Sequence, residues 1–194
     1  MRFAAVLFAA TVLSGAASAE TPPATLTQPP APSPPNCNAP EHRQLDFWVG
    51  EWDVFDTVKG SPVGQSRIEK LYDGCAIREN WSEPGYAGGS LNVYSETEHQ
   101  WKQIWTDTTG SWREFVGGLD GGRMVMTWTH PSVMFPGKTA RERMIFLVNP
   151  DGAVRQYSDA TVDEGKTWTL RYDYIYRRKA PPPAPAPPPP PHTP

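Results

Sequence analysis

Leu45-Asp46-Phe47-Trp48-Val49-Gly50-Glu51-Trp52-Asp53-Val54-Phe55 is the stretch on which the fold turns. Glu41 to Trp48 reads as one short helical turn, and from Glu51 the chain reads as the first of a series of strands. Downstream, helical periodicity is almost absent. β-Branched and aromatic residues recur instead in short runs bounded by Gly, Asp, Asn and Pro, the pattern of strands joined by turns. Lys59-Gly60-Ser61-Pro62, Tyr72-Asp73-Gly74, Pro84-Gly85, Thr109-Gly110, Asp120-Gly121-Gly122, Pro136-Gly137, Asn149-Pro150-Asp151-Gly152 and Glu164-Gly165 supply the residues that turns require. They predict about ten strands, near 51–57, 64–72, 75–83, 88–96, 99–107, 111–118, 122–130, 138–148, 152–161 and 166–178. With no helix long enough for a crossover, successive strands pair antiparallel. The expected fold class is all-β, an up-and-down barrel of about ten strands behind a short N-terminal helical turn. Closure removes the edges that an open meander exposes. A flattened sandwich is the competing arrangement.

A helical turn followed by Gly50-x-Trp52 on the first strand resembles the lipocalin and calycin barrels. The resemblance implies that Trp52 plugs one end of the barrel beneath an Arg of the last strand, for which Arg177 or Arg178 would serve. Ten strands without a C-terminal helix resemble, more narrowly, the fatty-acid-binding and nitrobindin-type barrels, and exported bacterial barrels that start with a similar FWVGEWDV segment. Nitrobindin-type proteins hold haem through a His near the C-terminus, whereas Trp168 to Tyr176 contains none. Haem is therefore not carried over, although a tyrosine there could ligate iron, and no cofactor is expected. A second motif, Thr161-Val162-Asp163-Glu164-Gly165-Lys166-Thr167-Trp168, matches the Asp-box S/T-x-D-x-G-x-T-W. It implies a hairpin turn made by Asp163 and Gly165, with Trp168 packed into the core.

The ends of the chain have a different composition. Met1-Arg2, the apolar Phe3 to Leu13 and the small Ala17-Ser18-Ala19 follow the order of a secretory signal peptide. Residues 1–19 are expected to be removed and the protein to be periplasmic or secreted. Residues 20–36 and 181–194 are Pro-rich and are expected to be disordered spacers around a domain at 37–180. In an oxidising compartment Cys37 and Cys75 favour a disulfide, with two buried free thiols as the alternative. Cleavage removes Arg2 from the 18 basic residues, which stand against 21 acidic ones. No basic cluster suggests nucleic acid as a partner, and no later segment has the roughly 20 apolar residues of a membrane helix.

Strand alternation selects the interior. In the last strand Trp168, Leu170, Tyr172, Tyr174 and Tyr176 share one face; Met124, Met126 and Trp128 share one on the 122–130 strand; Trp101, Gln103, Trp105 and Asp107 share another. Such walls suit a pocket for a small apolar or amphipathic ligand, bounded by Trp81, Gln103, Trp105, Trp128, Tyr172 and Tyr174. They equally suit a filled core, because eight Trp and seven Tyr can plug a lumen. Glu79, Asn92, Gln103, Asp107, Glu142 and Arg143 fall inside strands rather than turns. Of these, Glu79, Asp107 and Glu142 are the candidates for paired-carboxylate acid–base chemistry, the alternative to simple binding. A cell-envelope interaction module with a filled barrel is the third reading. No nucleophile elbow, phosphate loop or H-E-x-x-H is present, His42, His99, His130 and His192 are not at ligand spacing, and no metal is expected.

Overall fold

The computed structural model describes residues 37–180. The expected signal peptide and both Pro-rich segments lie outside the described residues. Two 3-10 turns, Pro40–Arg43 and Asp46–Trp48, form the expected helical turn. Ten strands follow: β1 (Gly50–Asp56), β2 (Pro62–Leu71), β3 (Ala76–Glu83), β4 (Tyr86–Ser95), β5 (Gln100–Asp107), β6 (Trp112–Asp120), β7 (Arg123–Pro131), β8 (Thr139–Val148), β9 (Val154–Thr161) and β10 (Thr169–Arg178). Each pairs antiparallel with its neighbours in sequence, and β1 also pairs with β10, so the sheet is a closed barrel rather than a sandwich.

One pole is plugged. Leu45, Trp48, Trp52, Phe146 and Tyr176 are buried there, with Trp48 edge-on to Phe146 at 5.0 Å and Trp52 edge-on to Tyr176 at 6.3 Å. Trp52 Nε1 donates to the Trp48 carbonyl at 2.8 Å, tying the strand back to the turn. Arg178 covers the plug: its guanidinium lies 4.5 Å from the Trp52 ring and donates to the Val49 carbonyl at 3.2 Å. Gly50 makes room for it, because a Cβ there would come within 2.5 Å of Arg178 Nη1. Arg177 is not the covering residue. Alternation turns it to the outer face opposite Asp53, where it lies over Phe55. A Cys37–Cys75 disulfide, with Cα atoms 4.9 Å apart, fastens the chain before the plug to the start of β3 and rules out free thiols.

The interior follows alternation with one correction. Leu170 faces Asp159 and Tyr172 faces Ser158, so Arg171 is an extra residue and β10 bulges. Tyr172, Tyr174 and Tyr176 therefore point inward, while Trp168 and Leu170 fall on the outside. Trp168 does not pack into the core but lies 3.5 Å beneath the Arg143 guanidinium. Arg143 itself is bidentate to Asp159 on that outer face. The Asp-box closes as a hairpin turn: Asp163 accepts from Thr161 Oγ1 and from the Thr167 amide and hydroxyl, and Gly165 accepts from Trp168 Nε1. Those bonds, led by the Thr167 hydroxyl, hold the Asp163 carboxyl below the usual carboxylate range.

Candidate lumen site

Beyond the plug the barrel is hollow. A cavity of about 230 Å³ opens toward the pole of the β1–β2, β3–β4 and β5–β6 hairpins, with Glu83 and Tyr86 at its mouth. Trp81, Gln103, Trp105, Tyr172 and Tyr174 all line it, although they come from three different strands. The rings are ordered: Trp81 stacks on Tyr174 at 6.1 Å, and Tyr174 stacks on Tyr172 at 4.9 Å. Small residues beside the tryptophans make this possible. A Cβ on Gly88 would meet Trp105 at 2.6 Å, and one on Gly64 would meet Trp81 at 2.9 Å.

Trp128 is not among the walls. Pairing of β6 with β7 stops at Val116 and Thr127, and Trp128, just beyond that point, packs against Phe115 with ring centroids 6.0 Å apart. There it stacks on His130 at 3.8 Å and bounds a separate hollow with Trp112. Asp107 is also spent elsewhere. Its carboxylate accepts from Tyr86, Trp105, Thr109 and Ser111 at the β5–β6 hairpin, and the bonds from Ser111 and Thr109 hold it far below the usual range. Glu79 and Glu142, in contrast, both line the cavity. Of the three candidate carboxylates, Glu79 and Glu142 therefore share the cavity and Asp107 does not.

The inner end of the cavity is a hydrogen-bond network whose direction can be derived. The Ile77 carbonyl can only accept, so the Asn92 amide nitrogen faces it at 3.0 Å and also donates to Ser90 Oγ at 3.0 Å. Asn92 Oδ1 is then an acceptor and takes Gln103 Nε2 at 2.7 Å. Gln103 is thus held with one amide N–H used and its carbonyl oxygen without a hydrogen-bond partner among the described residues. Glu79 accepts from Ser66 at 3.0 Å and Ser90 at 3.2 Å. The Tyr176 hydroxyl reaches Gln156 Oε1 at 2.8 Å and lies 3.5 Å from Glu79. Glu142 accepts from Ser158 at 2.6 Å.

Burial pushes the Glu79 carboxyl up to about 7 against the pull of those three hydroxyls. Burial, with the charges of Glu142 and Glu79, pushes the Tyr172 phenol up as well. Arg113, Phe115 and Gln156 also line the cavity. The sequence signal for Arg113 was alternation with Phe115; reading it required knowing that Phe115 faces Gln103 across the β5–β6 pair. No cluster of three His, Cys, Asp or Glu able to hold a metal occurs among the described residues. No family model matches the sequence, and no curated protein matches it.

Proposed function

We propose that this protein is an exported, non-catalytic barrel that takes up a small apolar or amphipathic molecule in its lumen. The observation that carries the reading is the hollow itself, walled by the Trp81–Tyr174–Tyr172 stack and Trp105 around a few fixed polar groups. Apolar walls supply affinity and fixed polar groups supply orientation. The Gly50, Trp52 and Arg178 arrangement supports kinship with the calycin barrels, including those with an FWVGEWDV start. The disulfide supports a periplasmic or secreted location, as does the leader pattern at 1–19. With Trp81 and Trp105 in the walls, titrating the protein with a panel of small amphiphiles should change tryptophan emission. Trp81→Phe together with Trp105→Phe should abolish most of the response. A flat response across the panel would remove this reading.

A second reading, a small-molecule enzyme, is favoured by one observation: Glu79 and Glu142 share the cavity and Glu79 is tuned toward neutrality, as acid–base catalysts are. It requires turnover that Glu79→Gln eliminates while ligand binding persists.

A further inference from the structure

Resting on the lumen-binding reading, the chemistry of the cavity narrows the class of ligand. The ionisable groups lining it are unbalanced: Glu79, Glu83 and Glu142 stand against Arg113 alone, tyrosines aside. None of the three carboxyls belongs to an ion pair among the described residues, and Arg113 has Asp107 at 4.0 Å. Glu79 is 3 % exposed and Glu142 9 %, a setting in which an unmatched carboxylate is costly.

Hydrogen-bond polarity leans the same way, and independently. Gln103 is 2 % exposed, and the chain from Ile77 through Asn92 fixes its amide so that one N–H is used and the carbonyl oxygen, an acceptor, is left without a partner. Trp105 Nε1 is committed to Asp107, Gln156 Nε2 to Met144 Sδ and the Tyr176 hydroxyl to Gln156. The lining offers two carboxyls and an amide carbonyl as acceptors, and the Tyr172 and Tyr174 hydroxyls and the Arg113 guanidinium are the donor groups there with no hydrogen-bond partner among the described residues. The faces of three stacked rings stand alongside, and such faces attract cations.

We propose that the ligand of this lumen carries an ammonium group, seated against Glu79, Glu142 and the Gln103 carbonyl with the Trp81–Tyr174–Tyr172 stack beside it. The cavity is small, so the rest of the ligand is about one ring or a short chain. The charge of Glu79 governs the interaction. The groups facing Glu79 are Ser66 of β2, Ser90 of β4, Arg113 of β6, Glu142 of β8, and Tyr172 and Tyr176 of β10. Burial holds both phenols protonated, so it is the Glu79 carboxyl whose charge changes near neutrality. A bound cation favours the ionised carboxyl, and amine affinity therefore rises as pH rises through the Glu79 value of about 7.

Calorimetry on the full chain with three matched probes, 2-phenylethylamine, 2-phenylethanol and 3-phenylpropanoate, tests this. At about pH 8 the amine should bind at least about tenfold more tightly than either of the others, the worth of a charge-assisted contact. That margin should shrink at about pH 5.5. Glu79→Gln, a near-isosteric change, should lose the margin and its pH dependence while 2-phenylethanol still binds. Glu142→Gln provides a second variant should the first fail to fold. Alcohol binding equal to amine binding, or a margin intact in both variants, overturns the ammonium assignment and leaves the lumen reading standing. If none of the three probes binds and no other amphiphile does, the lumen reading falls and the assignment falls with it.

Discussion

At the scale of the residue, Glu79 is a carboxyl buried without an ion pair among the described residues. Its carboxyl titrates near 7 in the fold and near 4.5 when free of it, so the folded state holds the proton more tightly. Stability from this group is complete below the free value and is lost as pH rises through the folded one. In the ligand-free protein the loss between about pH 5 and about pH 8 should be on the order of 2–3 kcal/mol. Thermal melts across that window should show the fall, and Glu79→Gln should flatten it; a wild-type profile parallel to that of the variant would refute the assignment. Arg178 is a second test. Arg178→Ala removes a cation–π contact and a hydrogen bond, worth about 1–2 kcal/mol together, measured by urea unfolding. The same change at Arg177 should cost less, because no carbonyl is left unpaired. The sequence made an arginine over Trp52 legible but left the choice between neighbours open. Strand register decides that choice, and register is a property of pairs of strands.

At the scale of the element, the turns were read well and the faces less well, for a physical reason. A turn is specified by the few residues that form it, so each strand boundary falls within about three residues of expectation, the widest gap being 166 against Thr169. Facing depends on an unbroken count of two, and one extra residue reverses everything before it. Arg171 is that residue. It moved Trp168 from the expected core to the outer surface beneath Arg143. Trp128 failed for a different reason: its face follows parity, but pairing with β6 has already stopped before it. Two predictions belong at this level. Replacing Cys37 and Cys75 by Ser should lower unfolding free energy by about 2–4 kcal/mol, because the bridge closes a separation of 38 residues. Asp163→Ala should speed amide hydrogen exchange at Thr167 while leaving exchange at the plug unchanged; protection that persists at Thr167 would show that the box is not held by its carboxylate.

At the scale of the whole molecule, closure brings Trp52 to Arg178 and joins the first strand to the last. A barrel that completes only when its ends meet should refold over milliseconds to seconds, and stopped-flow tryptophan emission will measure it; a microsecond phase carrying the full amplitude would contradict this. Closure was legible from the count of strands and the absence of helices. The hollow was not, since the same aromatic residues could have filled it, and only their packing decides. Closure also places both ends of the described residues at one pole. Cys37, bridged to the head of β3, and Lys179, whose amide donates to the Glu51 carbonyl, both sit at the plugged pole. The mouth with Glu83 and Tyr86 is at the opposite pole. An anchor attached through either terminus of this domain, to a sensor chip or to an electrode, would thus present the entrance outward.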